Sequence, residues 1–435
     1  MISMAQYNAD RTVLPQIPVA SIHPIDKSAI CIDITLLASA LFLQRFCFGN
    51  PTISFDMVAA VLIVAYQFAS GRLLIQYDRL LWFLVLVLAA TSSLLLNFRS
   101  TMLTSYGLFL VMYFLFILSH PSTPDRYKST LRGFQFLILI LSGCAIAQFA
   151  AQFVIDGGQI IRFFGIVPDF FAVQASEDGG GWNTIIPITP GSSLVKSNGI
   201  FLVEPSTMSQ MAALGILIEV LEFRRPRYLI PLALGLLLSY SGSGITILLL
   251  FLPLTGLVNR RSQLVLLLFT LLVIALLASG IINLSVFTSR VSEFDDTNAS
   301  AFQRFISSFW MAGEHFDTAS LPVLLRGAGP GTMKEFAPLA FYTAFGGTWF
   351  KVVYEYGLIG AFVFTCFLAS CFRRSRCPKL LIAAIIYFYL FTSGNLLNTS
   401  YLIIIVVLCT LSGPETRQIR ADSASGYRQF VASSS

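Results

Sequence analysis

Apolar residues fall in long runs along this chain, broken by short polar stretches that carry glycine, proline or charge. A helix needs about 20 apolar residues to cross the hydrocarbon core of a bilayer, and runs near that length recur from residue 29 to residue 413. The pattern predicts spans at 29–48, 52–70, 80–97, 102–119, 133–155, 204–222, 228–242, 244–258, 263–284, 347–371, 379–397 and 399–413. The expected fold class is an all-α polytopic integral membrane protein with about 12 transmembrane helices and two large external loops. Two spans, 228–242 and 244–258, are short and meet at Ser239-Tyr240-Ser241-Gly242-Ser243-Gly244. Small residues there allow either close helix packing or a broken, re-entrant segment that faces substrate.

The organisation that follows is an N-terminal segment (1–28), five spans (29–155), a first loop (156–203), four spans (204–284), a second loop (285–346), three spans (347–413) and a tail (414–435). Composition agrees. Of 435 residues, 56% are hydrophobic and 11% charged, with a mean hydropathy of +0.76, where soluble domains carry roughly a quarter charged residues. The first 28 residues lack the charged start and apolar core of a cleavable signal, so the first span is expected to be its own targeting signal. The 7 cysteines lie in or beside apolar runs without metal-ligand spacing and read as packing residues.

The net charge of +6 could suggest a nucleic-acid partner, but its distribution points to topology. Nineteen of the 28 Lys and Arg residues fall on the side that holds both termini, which the positive-inside rule makes cytoplasmic. The others are Arg45, Arg99, Arg162, Lys196, Arg290, Arg304, Arg326, Lys334 and Lys351, and most lie in or beside the two long loops. Those loops also hold Phe170, Phe171, Trp182 and Trp310, which disfavours disorder. They are expected to fold as caps of short amphipathic helices and to carry the function.

The first loop ends in Lys196-Ser197-Asn198-Gly199-Ile200-Phe201-Leu202-Val203-Glu204-Pro205-Ser206. Pro205 suits the first turn of a helix, and Glu204 would sit at its N-terminus, where negative charge is favoured. Lys196, Asn198 and Glu204 would thus converge where an external loop enters the membrane. Glu204 can serve as general base, as acceptor for a sugar hydroxyl, or as a helix-cap charge; Lys196 can bind phosphate or snorkel to the interface. In the second loop, Arg290 and Arg304 precede Arg326, which opens Gly327-Ala328-Gly329-Pro330-Gly331-Thr332. Arginine beside exposed backbone N–H groups suits diphosphate oxygens; the alternative is pairing with headgroups or with Glu293, Asp295 and Asp296. Lys351 and Glu355, one helical turn apart, are expected to pair with each other. Glu177-Asp178 and Asp295-Asp296 lack D-x-D spacing and read as solvated charge, so no metal or other cofactor is expected. His315 is the lone external histidine, and no nucleophile triad, P-loop or dinucleotide fingerprint occurs.

The run from Ser197 to Ser206 resembles the G-x-F-x-E-P-S signature of bacterial exopolysaccharide and O-antigen repeat-unit polymerases. The Leu238–Gly244 serine-glycine run, Gly327–Thr332 and Tyr354-Glu355-Tyr356-Gly357-Leu358-Ile359-Gly360 follow in matching order, with the xanthan-type exopolysaccharide polymerases most similar. The resemblance covers about 195–360. It implies a metal-independent glycosyltransferase of the bacterial inner membrane, with periplasmic loops, that moves a growing glycan from undecaprenyl diphosphate to the next lipid-linked repeat unit. It also implies co-polymerase and flippase partners. By motif position Glu204, Arg290 and Arg304 would be catalytic, and Lys196, Asn198, Arg326, Gly329, Gly331 and Lys351 would bind substrate. The related O-antigen ligases carry a histidine before the last conserved helix; Gly346-Gly347-Thr348-Trp349-Phe350-Lys351 has none. A ligase and a transporter or flippase of lipid-linked sugars are the alternatives. Intramembrane charge would mark the latter, and the central spans carry little.

Overall fold

The computed structural model describes residues 27–121, 124–154, 171, 186–189, 191–258, 260–278, 295, 297, 299–336, 346–392 and 396–413. Each of the twelve apolar stretches carries a helix. In chain order these are α1 (Lys27–Phe42), α2 (Phe55–Ala69), α3 (Tyr77–Leu96), α4 (Met102–Phe114), α5 (Pro124–Ala151), α6 (Pro205–Ile218), α7 (Leu229–Leu238), α8 (Gly242–Val258) and α9 (Arg260–Ala278). Among the described residues of the second loop, short helices follow: α10 (Ser300–Phe305), α11 (Ser307–Thr318), α12 (Leu321–Arg326) and α13 (Met333–Phe336). The chain returns to the bundle as α14 (Thr348–Arg373), α15 (Lys379–Phe391) and α16 (Thr399–Ile405).

Among the described residues, four helical stretches are long and apolar enough to cross a membrane: Tyr77–Leu96, Pro124–Ala151, Pro205–Phe223 and Thr348–Arg373. The other apolar helices are shorter. The outer faces are apolar, with Leu62 65% and Leu88 70% exposed, a surface that suits lipid rather than water. Helix ends depart from the hydrophobic limits where backbone chemistry decides them. α1 stops at Phe42 because the chain turns into an antiparallel hairpin, β1 (Cys47–Phe48) with β2 (Asn50–Ser54). α5 begins nine residues before the predicted span, at Pro124, a proline that loses nothing in a first turn and is followed by the favourable Asp125. Three short strands, β3 (Leu74–Ile75), β4 (Leu118–Pro121) and β5 (Ser412–Gly413), pair in that order, antiparallel then parallel. Buried Arg79 holds this junction by donating to the carbonyls of Phe116, Leu118 and Thr410.

α6 is the hub. Every residue from Pro205 to Ile218 is buried, against α5, α7, α8 and α15. The serine-glycine run between α7 and α8 is a packing joint with this helix. Gly244 donates its N–H to Ser209 Oγ at 3.1 Å, and Ser209 Oγ donates to Ser241 O at 3.0 Å. A Cβ on Gly244 would lie 2.2 Å from the Ser209 carbonyl oxygen, which is backbone and cannot yield without parting the helices. Gly244→Ala should therefore cost about 1–3 kcal/mol. Thermal unfolding in detergent reads it against Gly242→Ala, which meets nothing within 4 Å and should leave the midpoint nearly unchanged.

Candidate functional site

The turn that leads into α6 is built by buried amides. Gln148, on α5, accepts at Oε1 from Ser197 Oγ (3.0 Å), Asn198 N (3.1 Å) and Gly199 N (3.1 Å), and donates from Nε2 to Asn198 Oδ1 (3.0 Å). Asn198 in turn donates to Leu202 O at 2.9 Å and accepts from Ile200 N at 3.1 Å. Gly199 and Ile200 both have φ near +68°, a left-handed conformation that costs a β-branched residue most. Arg45 closes the turn by donating to Ile200 O at 2.8 Å. Asn198 is wholly buried and its amide is committed within the turn, so it shapes the site and does not face a substrate.

The turn delivers Glu204 to the mouth of the bundle. Glu204 is the backbone N-cap of α6, with extended φ and ψ, yet its side chain makes no cap hydrogen bond. It turns instead to the second loop, where Arg304 in the last turn of α10 donates from Nη2 to Glu204 Oε2 at 2.9 Å. The same Nη2 reaches Ser206 Oγ at 3.2 Å, and Ser206 Oγ donates to Glu204 Oε2 at 2.7 Å. The ion pair is partly sheltered, with side chains 20% and 18% exposed. Behind it Thr207 Oγ1 and Tyr401 Oη lie 2.9 Å apart, which brings α16 to the same point. A carboxylate, a guanidinium and three hydroxyls thus meet where α6, α10 and α16 converge. The arrangement can accept a proton from a hydroxyl and neutralise an anion side by side.

Other expected site residues stand elsewhere. Arg290 lies outside the described residues. Lys196 is only 8% exposed, its N–H bonded to Ile186 O at 2.8 Å. Arg326, at the end of α12, is exposed. The glycine turn after it is not an open anion nest. Gly327 N donates to Val323 O (2.7 Å), Ala328 N to Tyr354 O (2.8 Å), Gly329 N to Glu355 O (3.0 Å) and Thr332 N to Gly329 O (3.3 Å). Two of those acceptors are helix carbonyls freed by a break in α14 at Gly357, where φ is +69° and ψ −178°. A Cβ on Gly357 would stand 2.4 Å from Leu325 O, so glycine there permits the docking. Gly329 hence shapes a helix joint and offers no free N–H to a phosphate, while Gly331, with φ +79°, packs against Ser105.

The expected Lys351–Glu355 pair is not formed. Glu355 is 0% exposed, and neither carboxylate oxygen has a hydrogen-bond partner among the described residues. Lys351 acts on it as a positive charge without an ion-pair contact, and the backbone N–H groups of Gly331 and Met333 approach it short of hydrogen-bond geometry. The spacing rule applies to exposed helix faces, whereas the break at Gly357 and the docked turn draw Glu355 inward. Sequence reasoning also missed Gln148, Ser206 and Tyr401 as parts of the site. Ser206 was within reach, being in the E-P-S run; Gln148 and Tyr401 sit in apolar helices far away in sequence, and no local pattern marks them.

α11 forms a cap around His315, which is 3% exposed and touches the rings of Phe316, Phe336, Phe350 and Tyr354. Its Nε2 has no partner among the described residues, and burial lowers its pKa from the ordinary 6.5. Among the described residues no three His, Cys, Asp or Glu side chains converge as a metal site would require. No family model, curated protein or solved structure matches the chain, so the site is interpreted on its own geometry.

Two outcomes follow from these contacts. Gln148→Ala strands the buried N–H groups of Asn198 and Gly199, while Ser197 Oγ keeps the Ala145 carbonyl, and should cost about 1–3 kcal/mol for each one left unmet, read by chemical unfolding in detergent. The unfolded His315 takes up a proton before the folded one does. Its stabilising effect is therefore complete above the ordinary pKa of 6.5 and is lost as pH falls below it. The melting temperature of the wild type should drop from pH 7.5 towards about pH 5 by more than that of His315→Gln.

Proposed function

We propose that this chain is a repeat-unit polymerase of lipid-linked glycans, a glycosyltransferase of the bacterial inner membrane with twelve spans, cytoplasmic termini and both large loops in the periplasm. The observation that carries this reading is the Glu204–Arg304 pair, 2.9 Å apart, which ties the E-P-S run at the end of the first loop to an arginine of the second. The resemblance of that run to the polymerase signature supplies the reaction class. The donor is a glycan on undecaprenyl diphosphate and the acceptor is the next lipid-linked repeat.

In the proposed step the acceptor hydroxyl oxygen attacks the anomeric carbon of the donor. The bond from that carbon to the diphosphate oxygen breaks with its electron pair, and undecaprenyl diphosphate leaves. Glu204 takes the hydroxyl proton, while Arg304 stabilises the charge that grows on the diphosphate. Nη2 is the Arg304 nitrogen bonded to Glu204 and Ser206; its other donors carry no hydrogen bond among the described residues and, in this proposal, meet the incoming anion. Arg326 and Arg290 are further diphosphate contacts in this proposal, and Lys196, buried beside the turn, sets the charge of the wall.

Movement of lipid-linked sugars across the bilayer is a second reading, favoured by one observation. Glu355 is a carboxyl group buried inside an apolar helix with no ion-pair contact among the described residues, and such groups mark translocation paths in transporters. The variants separate the two. Arg304→Ala should lower the polymerisation rate on the order of 10²–10³-fold in reconstituted vesicles, with Arg304→Lys intermediate because a point charge cannot replace the planar fork. Wild-type rates for a properly inserted Arg304→Ala protein would remove Arg304 from the mechanism.

A further inference from the structure

A second charged site lies away from the Glu204–Arg304 pair, at the junction of α5 with the segment between α6 and α7. α6 runs into a π turn at Glu219–Phe223, and Arg224 reverses the chain with a left-handed φ of 55°. That reversal places Arg225 against buried Glu219. Arg225 Nε donates to Glu219 Oε2 at 3.2 Å, Nη2 donates to Oε1, and the backbone N–H adds a third bond at 3.3 Å. The guanidinium is also held between two rings, 4.6 Å from the Phe223 centroid and 4.4 Å from that of Tyr228. Arg225 is therefore fixed before any ligand arrives, and its Nη1 carries no hydrogen bond among the described residues.

Lys128 and Arg132 project from α5 one helical turn apart, exposed and without an ion-pair partner among the described residues. With Phe223, Arg225 and Glu222 they line a cavity of about 480 Å³. Arg132 lies 5.8 Å from the Phe223 centroid, so the ring forms a floor shared by two guanidinium groups. Lys128, Arg132 and the Glu219-paired Arg225, with the single carboxylate of Glu222, line a space large enough for a phosphate and part of its ester. Basic pockets between helices at a membrane surface bind anionic headgroups.

We propose that this cavity binds a phosphate group, that of an anionic lipid headgroup or a free phosphate. Lys128 and Arg132 supply the adjustable contacts, and Arg225 supplies a preset one. Glu222 opposes the anion and limits its affinity.

The test uses the full-length protein in nanodiscs of phosphatidylcholine with or without phosphatidylglycerol, with retained lipid counted by native mass spectrometry. Wild type should keep phosphatidylglycerol in preference to phosphatidylcholine. The Lys128→Gln/Arg132→Gln double variant should lose that preference by roughly tenfold or more, given the contribution of each basic residue at a membrane surface. Retention unaffected by millimolar inorganic phosphate identifies a lipid headgroup, and displacement by phosphate identifies a soluble anion; either result supports the site. Glu222→Gln leaves the basic residues in place and should tighten retention several-fold, so it serves as the readout if the double variant does not fold. Equal retention of both lipids by wild type with no bound inorganic phosphate in the same spectra, or no change in either for Glu222→Gln, overturns the proposal.

Discussion

α6 is buried on every side, and a helix so placed must find partners for its polar side chains within the protein, as all but Gln210 Oε1 do among the described residues. That single constraint organises the rest of the bundle. Ser206 bonds to Glu204, Thr207 to Tyr401, Ser209 to the α7–α8 joint, and Gln210 to Thr392 on the far side. Each bond fixes a neighbouring element against the hub. The polar half of α6 lies in its first two turns, so the elements that satisfy it gather at one end. There the turn from Ser197 to Val203 delivers a carboxylate. The site is the place where the buried helix needs partners most.

The same logic explains the irregular backbone at the other joint. α14 breaks at Gly357, and the carbonyls so freed are taken up by Ala328 and Gly329 of the second loop. The cap thereby becomes part of the bundle, held by main-chain bonds that no side-chain change removes. It is anchored again through Gly347 N, which donates to Ser308 Oγ at 2.7 Å. Arg304 sits three residues before the start of α11, the helix that carries Ser308. The cap that positions Arg304 is thus tied down at both of its ends.

Much of this was legible in the chain, and the misses share a cause. Long apolar runs marked every major helix because burying apolar side chains is a local, additive demand. The E-P-S run announced Glu204 because proline and a polar N-terminus have fixed meanings at a helix start. What sequence could not supply was which polar groups face one another. Asn198 read as a ligand because a buried Gln148, fifty residues earlier, leaves no trace in local pattern. Gly329 read as part of a phosphate cradle because its N–H looks free until Gly357 breaks a helix beside it. Lys351 and Glu355 read as a surface pair because spacing says nothing about burial. In an apolar chain the few polar groups are each other's main partners, and those pairings span most of its length.

The proposed chemistry is tested most directly by supplying purified protein in lipid with one synthetic undecaprenyl-diphosphate repeat unit, without metal or nucleotide sugar. Products are read by gel and mass spectrometry. A ladder that rises by whole repeat units, with undecaprenyl diphosphate released in step, is the predicted result. No ladder, with the substrate instead carried from one leaflet to the other, would contradict the polymerase and leave the Glu204–Arg304 pair as a docking point for cargo.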